Sequence, residues 1–168
     1  MTTNEDKRLY LIDAYAMIFR GYYAFIKNPR LSSKGLDTSA IFGFTNSLIE
    51  LIKRESPPHL AVVFDVGKAN VRTEDFSEYK ANRAETPEAI KIAVPYIHQI
   101  LEAMHIPILG MEGYEADDVI GTIAVKAEKQ GYQVFMVTPD KDFAQLVTEN
   151  IKIYKPASKG GGVEILGI

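Results

Sequence analysis

The chain has 168 residues, 46% of them apolar and 24% charged, with a net charge of −3, the profile of one soluble globular domain long enough to bury a core. No apolar run approaches the roughly 18 residues of a membrane span, and MTTNEDKRLYLID lacks the basic-then-apolar order of a signal peptide. Cysteine is absent, which excludes disulfides, thiolate metal ligands and thiol nucleophiles and fits a reducing, cytoplasmic compartment; the negative net charge excludes nucleic-acid binding through bulk positive charge, so such a partner would be held locally or through metal ions.

Residues 8–13 (RLYLID) read as a short buried strand. Residues 39–53 carry Ile41, Phe44, Leu48, Leu51 and Ile52 at helical spacing. A second apolar run, 60–64, leads into Asp65. Pro87 opens a helix that continues through Ile90, Val94, Ile97 and Leu101, with Pro95 placed to kink or split it. Runs at 106–109, 132–138 and 151–154 complete a set of five short strands. A helix over 115–129 stops at Gly131, a suitable residue for its carboxyl end. The terminal stretch ASKGGGVEILGI reads as a turn and an edge strand. Strands alternating with helices predict an α/β domain with a mainly parallel sheet. Residues 66–86 are polar, aperiodic and long for a plain connection, which predicts a functional or mobile segment.

The acidic residues carry the chemistry. Asp13 ends the first strand and Asp65 follows the second. Glu115, Asp117 and Asp118 follow the third, and Asp140 and Asp142 the fourth. Ligand sites of open parallel sheets form at the carboxyl ends of the strands. Any one of these acids has an ordinary explanation as a helix cap. Four segments delivering carboxylates to one edge do not. Such a group repels itself unless a cation neutralises it, and oxygen donors select Mg²⁺ or Mn²⁺ rather than zinc. Two such ions can clamp a phosphodiester for in-line displacement without a protein nucleophile. His98 and His105 lie in or just after an apolar helix and read as packing or surface residues.

The segments LYLIDAYAMIFRGYYAF, AIFGFTNSL, VVFD, YKANR with TPE, GYEADDVIGTIA and TPDKDFAQLV occur in this order. Together they closely resemble the amino-terminal 5′-nuclease domains of bacterial DNA polymerases, members of the flap endonuclease family, over nearly the whole chain. The resemblance implies a PIN-like α/β nuclease fold and a 5′-3′ exonuclease or flap endonuclease. Its DNA substrates would be 5′ flaps, 5′ single-stranded ends and RNA primer–DNA hybrids, and the protein a cytoplasmic monomer. It implies two divalent ions held by Asp13, Asp65, Glu115, Asp117, Asp118, Asp140 and Asp142. The first four would form the more complete site. The second, near Asp118, Asp140 and Asp142, would need two further Asp from a downstream helix–hairpin–helix region. That region, with proofreading-like and polymerase domains, is implied for a longer chain, and residues 1–168 alone are expected to be weakly active or inactive.

Arg20 follows Asp13 by two helical turns, so it can share a helix face with it, and the resemblance implies that it faces the scissile phosphate. The resemblance places Lys80 and Arg83 of YKANR on a helical arch over the site, within 66–86, where a single-stranded 5′ end passes. Tyr79 would stack on a base there and Arg72 would add a contact, although VRTEDF departs from the aromatic-Arg-His pattern of many relatives. Gly43 is expected to permit close helix packing and Gly113 to set the turn into the metal-binding helix; at least one of Tyr22, Tyr23 and Phe25 is expected in the core. Alternatives are a PIN-type ribonuclease, which lacks YKANR and GYEADDV, and a non-catalytic nucleic-acid scaffold, which would have lost acids. A dehalogenase-like phosphatase would want DxD where DAY stands, and no GxxxxGK[ST] marks a P-loop.

Overall fold

The computed structural model describes residues 7–65, 88–111, 113–139, 141–156 and 163–167. Six strands form one sheet: β1 (Arg8–Asp13), β2 (His59–Val63), β3 (Ile108–Leu109), β4 (Gln133–Val137), β5 (Ile151–Pro156) and β6 (Val163–Leu166). Their order is β3-β2-β1-β4-β5-β6. The first five run parallel and β6 pairs antiparallel with β5. Among the described residues four helices accompany them: α1 (Ala14–Ala24), α2 (Ser39–Glu55), α3 (Glu88–Ala103) and α4 (Ala116–Lys129), with a 3-10 turn at Lys141–Leu146.

Side chains alternate along each strand, and the buried residues sort accordingly. Tyr10, Ile12, Val62 and Phe64 bury against α1, α2 and α3. Leu11, Ala61, Val63, Val134, Met136 and Ile153 bury against α4 and Phe143. Both faces of the sheet are therefore covered, which is why its central strands read as continuous apolar runs.

The sheet order places β1 between β2 and β4. The chain builds outward from β1 through β2 to β3, then restarts on the other side of β1 with β4. That reversal leaves a crevice beyond the carboxyl ends of β1 and β4, where the acids were expected.

Several elements depart from their predicted bounds. The third strand covers two residues rather than four, since Pro107 can offer only its carbonyl, which accepts from Val62 N–H at 3.0 Å. Pro95 does not split α3. It sits on the exposed side of the helix, so the carbonyl left without an N–H partner faces water. Gly131 ends α4 with φ +90° and Gly113 turns into it with φ +86°, the left-handed backbone that glycine adopts without penalty.

Two glycines fix how α1 meets α2. A Cβ on Gly43 would lie 2.4 Å from Gly21 Cα, and one on Gly21 would lie 2.8 Å from the Phe44 backbone nitrogen. The obstacles are backbone atoms, which cannot move aside cheaply. Gly43→Ala is expected to destabilise the protein by about 2 kcal/mol, read as a lower melting temperature. An unchanged melting temperature would show that the two helices can separate freely.

A second tie joins α2 to the sheet. Glu55 accepts hydrogen bonds from the Tyr10 hydroxyl at 3.0 Å and the Tyr154 hydroxyl at 2.9 Å, and Arg8 donates to the Tyr10 oxygen at 3.1 Å. Burial and the Glu55 carboxylate push the Tyr10 hydroxyl up to about 12. Glu55→Ala leaves the hydroxyls of two buried tyrosines without their acceptor and is expected to cost about 2 kcal/mol. Chemical denaturation midpoints of the parent and variant test this, and equal midpoints would contradict it.

Candidate metal centre

Asp13 is the last residue of β1 and the cap of α1. One carboxylate oxygen accepts from Ala16 N–H at 3.4 Å, and the other accepts from the Thr138 hydroxyl at 3.3 Å. Thr138 is buried just beyond β4, so this bond spans the crevice between β1 and β4 and fixes the carboxylate's orientation. Burial is the main cause that pushes Asp13 up to about 6, with further repulsion from Asp65 and Asp117. The bonds from Ala16 and Thr138 oppose the rise without cancelling it.

Asp65 lies two residues past β2, and its Oδ1 accepts from Ala116 N–H at the start of α4. Glu115 stands in the cap position of α4 but makes no capping bond with its own side chain. Asp65 thus satisfies an amino-terminal N–H of the helix from across the sheet, and it sets α4 against the end of β2. Glu115, Asp117 and Asp118 each offer a carboxylate oxygen within 4.8 Å of the others. Burial, then the charges of Glu115 and Asp118, push Asp117 above the ordinary carboxylate range.

Asp117 links the two groups of acids, because it also raises Asp13. Asp118 lies on the outer flank, where Asp117, Asp118, Lys126 and Leu146 contribute to the lining of a groove of about 580 Å³ between α4 and the 3-10 turn. The fold brings together Asp13, Asp65, Glu115, Asp117 and Asp118 from three strand ends. Asp140 lies outside the described residues. Asp142 lies in the 3-10 turn after β4, and its side chain is likewise outside them. Arg72, Tyr79, Lys80 and Arg83 fall in the segment outside the described residues, as does the expected arch over 66–86.

Arg20 projects from α1 towards the end of β4, beside Met17, Val137 and Thr138. Its guanidinium donates to Ser47 Oγ of α2 at 3.4 Å. Tyr22 packs against the core and Tyr23 is exposed. His98 packs on Phe64 with ring centroids 4.4 Å apart, and His105 is exposed.

Two neighbours of the acids were not singled out from the sequence. Thr138 orients Asp13. Tyr15 packs edge-on to Phe64 at 5.8 Å, and burial followed by the Asp65 charge pushes its hydroxyl up. Their sequence signals are slight: Tyr15 stands two residues after Asp13, and Thr138 opens TPDKD.

The donors are all oxygen, and no histidine joins the cluster among the described residues. Mutually repelling carboxylates fit a hard divalent cation, which would offset the repulsion that raises Asp13 and Asp117.

A twisted parallel sheet with acids gathered at its carboxyl edge and helices on both faces is the PIN-like α/β nuclease fold. Flap endonuclease-1 of Methanococcus jannaschii superposes with a TM-score of 0.61 at 17% identity, covering 99% of this chain and 59% of that one. The T5 5′-exonuclease with bound zinc superposes at 0.59 with 21% identity, covering 88% and 55%.

The chain belongs to the 5′-3′ exonuclease, N-terminal resolvase-like domain family, whose pattern it matches over residues 8–165. It is 41% identical over 150 residues to a 5′-3′ exonuclease of Aquifex aeolicus, covering 89% of this chain and 51% of the relative. It is 39% identical over 150 residues to DNA polymerase I of Bacillus subtilis, covering 89% of this chain and 17% of that protein. The chain thus spans about half of one relative's length and about a sixth of the other's.

Proposed function

We propose that the chain is the catalytic core of a metal-dependent nuclease that hydrolyses DNA phosphodiesters at 5′ ends and flaps, including those left by RNA primers. One observation carries this reading: Asp13, Asp65, Glu115, Asp117 and Asp118 converge at one sheet edge, where burial, with lesser repulsion from Asp65 and Asp117, raises Asp13. Asp13, Asp65, Glu115 and Asp117 would hold one Mg²⁺ or Mn²⁺ ion. Asp118, Asp140 and Asp142 would contribute to a second. When bound, such ions polarise the phosphodiester, activate water and neutralise the leaving oxygen.

The protein's own groups prepare that chemistry. Thr138 and the Ala16 N–H orient Asp13, Asp65 anchors α4, and α4 presents Asp117. Arg20, held by Ser47 beside the end of β4, would contact the phosphate. Lys80 and Arg83, with Arg72 and Tyr79, would bind the single-stranded 5′ end from segment 66–86. A downstream helix–hairpin–helix region would grip duplex, in a monomeric cytoplasmic protein of bacterial type.

The deciding measurement is cleavage of a labelled 5′-flap DNA by residues 1–168 and by a chain extended through that downstream region. Cleavage by the longer chain in Mg²⁺ or Mn²⁺, lost in EDTA, is expected. Absence of cleavage by both chains in either ion would overturn the proposal.

A further inference from the structure

Tyr114 and Met111 are 52% and 57% exposed, in the loop between β3 and α4 that leads into the acids. Aromatic and thioether side chains usually find apolar cover. Here about half of each stays open to solvent, and among the described residues neither side chain has a hydrogen bond or ring partner. The backbone that carries them is tied. Tyr114 N–H donates to the Met111 carbonyl at 3.0 Å, closing a tight turn. Gly113 enters that turn with φ +86°, and Glu115 follows Tyr114 directly as the cap residue of α4. The Ala116 N–H is tied in turn to Asp65. The Tyr114 side chain therefore stands directly before the residue that caps α4 and opens the carboxylate cluster.

An exposed ring one residue before the acids that would meet phosphodiester oxygens has one ready occupant. A nucleobase lies within a few ångströms of its own phosphate and offers a flat apolar face. Resting on the nuclease reading above, we propose that Tyr114, flanked by Met111, is a stacking platform for the base of a nucleotide next to the scissile phosphate. It supplies affinity and register without regard to sequence, since every base has a π-face. The hydroxyl adds little, so phenylalanine should serve equally.

The test uses the extended, cleavage-competent chain and a 5′-flap DNA carrying 2-aminopurine on either side of the scissile phosphate. Ca²⁺ replaces Mg²⁺ for the binding measurements. Quenching of the 2-aminopurine on binding is expected for the parent and for Tyr114→Phe, and its loss for Tyr114→Ala. In Mg²⁺, Tyr114→Ala should raise KM about tenfold with kcat little changed, and Met111→Ala should raise it by less. The exposure of Tyr114 predicts an unchanged melting temperature for Tyr114→Ala, and the Phe variant provides a conservative control. Parental quenching and KM in Tyr114→Ala would overturn the platform while leaving the nuclease intact. Loss of metal-dependent cleavage from the parent itself would instead overturn the nuclease reading.

Discussion

Asp13→Asn is expected to lower Mg²⁺-dependent cleavage of a 5′-flap DNA by about a thousandfold or more while making the metal-free protein more stable. The two effects share one cause. Asparagine caps a helix as well as aspartate, and its carbonyl can still accept from Ala16 N–H or the Thr138 hydroxyl. What disappears is the charge. A carboxylate that holds an ion at the reacting phosphate supplies several kcal/mol of transition-state stabilisation, and about 4 kcal/mol corresponds to a thousandfold in rate. Without metal the same charge is a burden, because Asp13 is largely withdrawn from water and faces Asp65 and Asp117. Its rise from 3.8 to about 6 corresponds to roughly 3 kcal/mol against the folded state at alkaline pH. Flap-cleavage rates and melting of the EDTA-treated proteins at pH 8 read the two effects separately. A variant that loses both activity and stability would show Asp13 to be structural. One that cleaves within tenfold of the parent would remove it from the metal centre.

Stability should also respond to pH and to metal in opposite ways. The folded protein binds the Asp13 proton more tightly than the unfolded chain does. The favourable contribution is therefore fully present below about pH 4 and is lost as pH rises through about 6. The difference in unfolding free energy between the parent and Asp13→Asn isolates this term from the other carboxylates. It should grow in favour of the variant across that window and then level off. Divalent ions compete with protons for the same oxygens, so binding weakens as pH falls. At concentrations about a hundredfold above its dissociation constant, Mg²⁺ or Mn²⁺ should stabilise the parent by about 2.7 kcal/mol, or roughly 5–10 °C for a domain of this size. The gain should be large at pH 8 and small at pH 5. Asp117→Asn combined with Asp142→Asn should abolish it. A melting temperature insensitive to both ions at pH 8 would contradict the cluster's role.

The alternation of apolar runs and helical spacing was enough to predict an α/β domain with a mainly parallel sheet. This legibility has a physical basis. Strands buried on both faces must be apolar throughout, and helices covering them must carry an apolar stripe, so the architecture is written in local composition. The acids at strand ends were legible for a related reason: the carboxyl edge of such a sheet is fixed by chain direction alone. The GYEADD and TPDKD segments, taken with VVFD, also carried the family likeness. Local pattern was weaker where a residue has no periodic partner. It overextended the third strand and left Pro95 as a kink or split.

The sequence by itself therefore determined the class of fold, and it pointed to the edge of the sheet at which most of these acids are placed. Tertiary structure alone decided how those acids are held. Asp65 caps α4 from across the sheet, and Thr138 fixes Asp13 from a strand 125 residues away. The Gly21–Gly43 contact sets the crossing of α1 and α2, and α2 in turn brings Ser47 to Arg20. Each of these is a contact between segments distant in the chain. Its geometry follows from how the sheet twists and how helices dock, and no spacing within one segment encodes it.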